Sequence, residues 1–142
     1  MTPDELAVAC AQVMWADDAA SQRLGMRIES VGPGRATLTM RVRDDMTNGH
    51  GMSHGGFIFT LADSAFAFAC NTYDVRTVAQ ACDIVFVLPA QAGDELRATA
   101  VERHRSGRNG IYDVEVTRGE DVIAEFRGRS RTIGGAHLAV KD

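Results

Sequence analysis

The chain has 142 residues, of which 45% are hydrophobic and 24% charged, a composition typical of one folded domain with its own core. Its formal net charge of −4 argues against a surface that binds nucleic acid over the whole protein. No apolar run is long enough to span a membrane, and no secretory segment begins the chain. We therefore predict a single cytoplasmic domain over residues 1–142, with Cys10, Cys70 and Cys82 as free thiols.

The first predicted element is a helix over about residues 3–22. Thr2 can cap it, Pro3 occupies its first position, and Glu5 completes a Thr-x-x-Glu capping box. Gly25 is expected to close it. This helix belongs to the same domain as the rest of the chain.

The stretch 35–43 alternates strictly between apolar and polar residues. One face carries the apolar set and the other carries threonine and arginine, which predicts a half-buried strand. The apolar set is Ala36, Leu38, Met40 and Val42.

A long apolar helix is predicted next, from Gly56 to Asn71. Its polar residues Thr60, Asp63 and Ser64 are spaced so that they share one narrow face with Asn71. A helix this hydrophobic is expected to be buried nearly all round, so this face is a confined strip.

Four strands are predicted after the helix, over 77–88, 95–105, 110–118 and 122–133. The first is apolar on both faces and ends at Pro89, which predicts a central strand. The others are joined by short connections rich in turn residues, typical of antiparallel hairpins. The predicted class is α+β, an antiparallel sheet with one long helix packed on it.

Asp63 is a candidate catalytic base or nucleophile. No arginine or lysine occurs between Thr47 and Val75, so the helix offers this carboxylate no partner. Burial without a partner raises a carboxyl pKa and is frequent at functional sites. The alternative is a surface acid in a solvent seam, against which the apolar flanks of Asp63 argue.

Gly55 and Gly56 lie at the predicted start of this helix. Free N–H groups there favour an anion or a polarised carbonyl oxygen, and glycine lets a ligand approach the backbone. The alternative is a tight turn into the helix. Gly55 and Asp63 are eight positions apart, about 12 Å along a helix. One reacting carbon cannot lie about 3 Å from both. Joint action would therefore require two copies of the helix in a dimer.

The stretch NGHGMSHGGFIFTLADSAFAFACN, the apolar strand after it and the closing FRGRSRTIGG resemble the hotdog-fold acyl-CoA thioesterases of the phenylacetate-degradation (PaaI) type. The resemblance extends from about Leu24 to Gly135. It implies a hotdog fold, in which an antiparallel β-sheet wraps around one long central helix. It also implies a homodimer with a continuous sheet, commonly assembled further into a dimer of dimers.

The same resemblance implies the chemistry. The Gly55 amide would polarise a thioester carbonyl, and Asp63 of the partner subunit would attack it or activate water. Asn48 would position water or substrate, His54 would shape the carbonyl site, and Ser64 would lie beside the acid. The substrate would be an aryl- or phenylacetyl-type acyl-CoA, with no metal or redox cofactor and no nucleic-acid or membrane partner.

The arginines are candidates for binding the phosphates of coenzyme A, because guanidinium matches phosphate geometry. Arg108, in the turn between two predicted strands, is the position we select as substrate-binding. Arg127, Arg129 and Arg131 alternate on one face of the last strand, where a solvated sheet surface is an equal alternative.

Other reactive side chains are given structural roles. His50 and His54 have metal-pair spacing but lie in a loop with no third ligand nearby, and His104 and His137 have no identifiable partner. Cys70 has no adjacent base and is expected to be a buried thiol. Two rival functions remain, a hotdog acyl-CoA dehydratase or hydratase and a non-catalytic acyl-CoA-binding protein.

Overall fold

A computed structural model describes residues 1–138. Within these residues, three helices, one short 3-10 turn and six strands follow each other. They are α1 (Pro3–Asp17), α2 (Ala19–Arg23), β1 (Arg27–Gly32), β2 (Arg35–Arg41), the 3-10 turn (Asp44–Met46), α3 (Gly55–Cys70), β3 (Thr77–Phe86), β4 (Glu95–Ser106), β5 (Asn109–Arg118) and β6 (Asp121–Thr132). None of the helices in this part of the chain is long and apolar enough to cross a membrane.

The six strands form one antiparallel sheet in the order β1-β2-β4-β5-β6-β3, and α3 packs across its inner face. This confirms the predicted α+β class, with one long helix in an antiparallel sheet. Half of the residues of α3 are buried: Ile58, Leu61, Ala62, Ala65, Phe66, Phe68, Ala69 and Cys70. The alternation predicted for 35–43 is present, since Ala36, Leu38, Met40 and Val42 are all buried.

The N-terminal helix begins as predicted and ends early. Thr2 and Glu5 form the reciprocal capping box, with both N–H···O distances at 3.1 Å. The single helix over 3–22 is wrong, because Asp18 breaks it with φ −88° and ψ 78°. The Asp18 carboxylate instead accepts a hydrogen bond from the Ser21 N–H at 3.0 Å and caps α2. Aspartate favours caps over helix interiors for this reason.

Strand β1 was not predicted from the sequence. Its register shifts between Ile28 and Ser30, so apolar residues do not alternate regularly along it. Only Ile28 and Val31 pack against the core, each partly buried. A bulge of this kind removes the two-residue period on which strand prediction depends.

The prediction of a central strand over 77–88 is wrong, because β3 is an edge strand. Within residues 1–138 it pairs with β6 alone. Val78, Val85 and Phe86 are 44%, 61% and 50% exposed. An apolar edge with unpaired N–H and C=O groups is a template for pairing with another strand. The apolar residues on both faces of this strand therefore do not indicate a central position, because several of them stay exposed in the single chain.

Candidate active site

The N-terminus of α3 presents a backbone donor that is free of other described residues. The His54 ring caps the helix, because its Nδ1 accepts a hydrogen bond from the Gly56 N–H at 3.0 Å. The Gly55 N–H has no acceptor among the described residues. Since Nδ1 is an acceptor, the neutral ring of His54 carries its proton on Nε2. The geometry thus separates the two glycines: Gly56 is occupied by the cap, and Gly55 remains available.

A cleft of about 340 Å³ opens in front of Gly55. A Cβ atom built on Gly55 would lie 2.9 Å from Cζ of Phe86, which is closer than two carbons can approach. The ring of Phe86 therefore forms one wall beside Gly55 and occupies the space that a side chain would need. The cleft is further lined by Asn48, Met52, Ser53, Ile58, Val87, Leu88 and Pro89.

The side-chain oxygen and the side-chain nitrogen of Asn48 have different roles. Its side-chain oxygen accepts hydrogen bonds from the N–H groups of His50 at 2.9 Å and Met52 at 3.3 Å, which hold the loop before α3 in place. Its amide nitrogen donates to no described residue. Asn48 can therefore donate toward the cleft that it lines.

Asp63 lies half-buried two turns into α3 and forms no hydrogen bond or ion pair with any described residue. Burial raises the pKa of its carboxyl, the direction expected from the sequence. Burial, and to a smaller extent the charge of Asp63, raise the pKa of the Cys70 thiol to about 12. They also raise the pKa of Cys82 on β3. The charge of Asp63 therefore acts on thiols of both α3 and β3, and Cys70 is an inert thiol at neutral pH.

The hydroxyl of Ser64 is shared with Ser21 of α2, at an Oγ–Oγ distance of 2.8 Å. Ser21 is 1% exposed, so this bond fastens α2 to α3 away from solvent. Sequence reasoning gave Ser64 a place beside the acid and missed Ser21. The two are 43 positions apart, and no local pattern links them.

Arg108 lies at the opposite end of α3 from Gly55. It occupies the β4–β5 turn and lines a second cavity, of about 300 Å³, together with Cys70 at the end of α3. Asn48, His54, Gly55 and Gly56 come together at the helix start, whereas Asp63 and Arg108 are not brought to them within one chain. Along α3 alone, Gly55 and Asp63 are separated by about 12 Å.

The arginines of β6 favour the solvated-surface alternative at two positions. Arg127 forms a two-pronged ion pair with Asp113, at 2.7 and 3.0 Å. Arg129 lies 3.5 Å from a carboxylate oxygen of Asp83. Charges already compensated in this way are less available for a phosphate.

His137 has a partner, so the expectation that it has none is wrong. Its Nε2 lies 2.7 Å from Oδ1 of Asn71. The same oxygen accepts the Thr77 N–H at 2.9 Å, which fixes it as an acceptor and makes His137 Nε2 the donor. This contact ties the chain after β6 to the end of α3. The two residues are 66 positions apart, so no spacing in the sequence could have indicated it.

Comparison with known proteins gives the class of this fold and site. The model of the thioesterase superfamily matches residues 50–125 of the chain. Acyl-coenzyme A thioesterase PaaI of Escherichia coli K12 is 47% identical over 126 residues, which are 88% of this chain and 90% of that protein.

Solved structures give the same result. The E. coli PaaI protein of the phenylacetic acid degradation operon superposes with a TM-score of 0.93 at 43% identity, over 95% of this chain and 99% of that one. A mutant of the phenylacetic acid degradation protein PaaI of Thermus thermophilus superposes with a TM-score of 0.78 at 38% identity, over 80% of this chain and 97% of that one.

The chain therefore belongs to the thioesterase superfamily and has its hotdog fold. Within that superfamily it is a PaaI-like acyl-CoA thioesterase, and thus a hydrolase. This favours hydrolysis over the two rival functions considered from the sequence.

Proposed function

We propose that this thioesterase hydrolyses aryl- or phenylacetyl-type coenzyme A thioesters at a site shared by two subunits. Asp63 of one subunit and the Gly55 N–H of its partner would act on the same carbonyl. The acyl class is supported by similarity to PaaI of E. coli, whose gene lies in a phenylacetic acid degradation operon. The free Gly55 donor is the observation that carries the mechanism.

The start of α3 supplies the electrophilic side of this site. A carbonyl oxygen bound to the Gly55 N–H gains negative charge as the carbon becomes tetrahedral, and the helix dipole stabilises that charge. Asn48 Nδ2 and His54 Nε2 are further donors at the same end of the helix. Gly56 contributes through its bond to His54, which holds that ring in place.

Asp63 supplies the other side of the site by one of two routes. As a base, it would take a proton from water while the water oxygen bonds to the carbonyl carbon, and return the proton to sulfur when the C–S bond breaks. As a nucleophile, its oxygen would displace the thiolate and form an anhydride that water then cleaves. Both routes consume one water and release the acid and coenzyme A. A raised carboxyl pKa suits the base at near-neutral pH.

The exposed edge of β3 supports the shared site. Phe86 lies against Gly55, and the charge of Asp63 acts on Cys82. Residues 82 and 86 are about 13 Å apart along a strand, which matches the about 12 Å between Gly55 and Asp63 along α3. Antiparallel pairing of β3 with a second β3, centred on Ile84, would therefore place each Gly55 near the partner subunit's Asp63.

This pairing would join two six-stranded sheets into one and bury the apolar edge. It would make the enzyme a homodimer at minimum. Further assembly into a dimer of dimers stays a prediction from the resemblance, as does a cytoplasmic location.

Mixed dimers test the shared site. Asp63→Asn removes the acid. Gly55→Pro removes the donor and also places ring carbons against Phe86, so it disables the Gly55 half of the site in its own subunit. Each variant alone should lose nearly all turnover of phenylacetyl-CoA, followed by release of free thiol. Random re-association of the two variants should restore about one quarter of wild-type activity, because half of the dimers hold one intact site. No restoration from a verified mixed dimer would mean that both groups act within one subunit, or not at all.

A further inference from the structure

Ser21 is the one buried residue of the short helix α2. Its backbone N–H donates to the Asp18 carboxylate at 3.0 Å, and its carbonyl accepts the Met26 N–H at 3.1 Å, so the chain is held on both sides of it. A buried hydroxyl costs free energy unless it is hydrogen-bonded, and alanine would fill the same position without that cost. Among residues 1–138, the Ser21 hydroxyl bonds to the Ser64 hydroxyl alone, at 2.8 Å.

Burial decides which of these two hydroxyls donates. If Ser64 donated, the Ser21 proton would stay buried with no acceptor in the described part of the chain, because Ser21 is 1% exposed. If Ser21 donates, the remaining proton is that of Ser64, whose side chain is only half-buried. The Ser21 O–H therefore donates to Ser64 Oγ, and Ser64 keeps a proton that it can donate elsewhere.

The hydroxyl one turn earlier on α3 shows what this bond prevents. Thr60 donates to the carbonyl of Gly56, four positions before it, at 2.8 Å. Serine and threonine inside helices commonly bond in this way to their own backbone. Ser64 forms no such bond to the Thr60 carbonyl, because its oxygen is held toward Ser21 instead. The bond to α2 thus keeps the Ser64 proton away from its own helix.

Asp63 and Ser64 leave an acceptor and a donor side by side on α3. Neither the Asp63 carboxylate nor the Ser64 proton is bonded to any other residue within 1–138. Consecutive side chains point about 100° apart around a helix, so a gap separates these two. Thr60 and Ala67 lie within that gap, one turn before and one turn after, and both have short side chains. A water molecule in the gap can accept from Ser64 and donate to Asp63.

We propose that Ser21 is a positioning residue, which holds the Ser64 hydroxyl so that Ser64 donates to the water that Asp63 deprotonates. All three residues belong to one subunit, and the thioester carbonyl is bound at the Gly55 N–H of its partner. The water oxygen bonds to the carbonyl carbon as one water proton passes to Asp63, and that proton reaches sulfur when the C–S bond breaks. Ser64 keeps its own proton throughout. The inference rests on the proposed function and selects its base route.

The experiment measures hydrolysis of phenylacetyl-CoA by Ser21→Ala. Without Ser21, the Ser64 hydroxyl can turn and donate to the Thr60 carbonyl. We expect kcat to fall about tenfold, the effect of losing one hydrogen bond in the transition state. KM should stay near its wild-type value, because the carbonyl is still bound at Gly55. Ser21→Cys, which has a weaker donor of similar size, should lose less than Ser21→Ala.

A double-mutant cycle shows whether Ser21 acts through Ser64. Ser64→Ala should lower kcat to a similar extent, and Ser21→Ala/Ser64→Ala should be no slower than Ser64→Ala, since Ser21 then has no hydroxyl to position. Gln22→Ala is the matched control on α2, because the Gln22 amide donates to the Trp15 carbonyl of α1. This control should lower the melting temperature and leave kcat unchanged.

Two results would overturn the proposal. An unchanged kcat in Ser21→Ala would make the bond between α2 and α3 purely structural. Losses that multiply in the double variant would mean that Ser21 and Ser64 act independently. All rates are compared well below the melting temperature of each variant, so that unfolding does not contribute. Failure of the proposed function is recognised separately, by turnover of phenylacetyl-CoA that survives in Asp63→Asn.

Discussion

Asp63 has no partner among residues 1–138, and this has a consequence for stability. Burial raises the pKa of this carboxyl in the folded protein, so folding favours its protonated form. The stability it contributes is complete below its unfolded pKa of about 3.9 and is lost as the pH rises through the folded pKa. At neutral pH the charged form therefore opposes folding, a cost that active sites commonly carry.

Asp63→Asn should accordingly raise the melting temperature at pH 7.5 while removing turnover. The gain should shrink as the pH falls toward 4, where Asp63 itself becomes neutral. Asp113→Asn is the control of opposite sign, because the Arg127 guanidinium lowers the pKa of Asp113 and its charge favours folding. Thermal unfolding monitored by circular dichroism across this pH range measures both. A lower melting temperature for Asp63→Asn at pH 7.5 would show that the carboxylate has a stabilising partner.

The absence of a side chain at Gly55 is explained by one neighbour. Alanine would keep the N–H donor, yet its Cβ would lie 2.9 Å from the Phe86 ring. Gly55→Ala should therefore lose most of kcat/KM by displacing that ring into the cleft. The double variant Gly55→Ala/Phe86→Ala should recover at least tenfold over Gly55→Ala, since the clash is gone and the donor remains. If the double variant stays as inactive as Gly55→Ala, the substrate itself needs the space at Gly55.

At the scale of elements, the sequence predicted whatever depended on local patterns. The capping box of α1, the alternation of β2 and the apolar length of α3 each follow from neighbouring residues. Strand β1 was missed because a bulge breaks its period. The position of β3 was misjudged because an apolar strand has the same pattern whether its own sheet or a second molecule covers it.

The site divides in the same way. The glycine pair and the isolated acid could be predicted from the sequence, because they lie on one helix and their spacing indicates their roles. The sequence pattern could not show which of the two glycines keeps a free N–H, since this depends on the rotamer of His54. The bonds of Ser64 to Ser21 and of His137 to Asn71 also depend on tertiary packing.

The proposed register of β3 can be tested with one cysteine. If the two-fold axis passes Ile84, the two copies of residue 84 lie directly opposite, with Cα atoms about 4.5–5.5 Å apart, within disulfide range. Ile84→Cys combined with Cys82→Ser should form an intermolecular disulfide under mild oxidation. Cys82 of the wild type should not, because its own copies would lie about 13 Å apart along the strands. Non-reducing electrophoresis separates these outcomes, and cross-linking through Cys82 would place the axis two residues earlier.

At the scale of the molecule, one charge on the outer face of β3 should decide whether the enzyme assembles. Val85 is 61% exposed, and the proposed register sets it opposite Asp83 of the partner subunit. Val85→Asp would oppose like charges across the pair, while Val85→Lys would oppose unlike charges at equal polarity. We expect Val85→Asp to sediment as a monomer and Val85→Lys to remain a dimer.

Activity should follow assembly in this pair of variants. Val85→Asp keeps Asn48, His54, Gly55 and Asp63 in every subunit, yet its monomer should not hydrolyse phenylacetyl-CoA, because no subunit brings its own Asp63 to its own Gly55. Activity should return at protein concentrations that restore the dimer, since mass action shifts the equilibrium between monomer and dimer as the concentration rises. Val85→Lys should retain the wild-type rate. A monomeric Val85→Asp variant with full activity would place the whole reaction within one subunit and would contradict a site shared by two subunits.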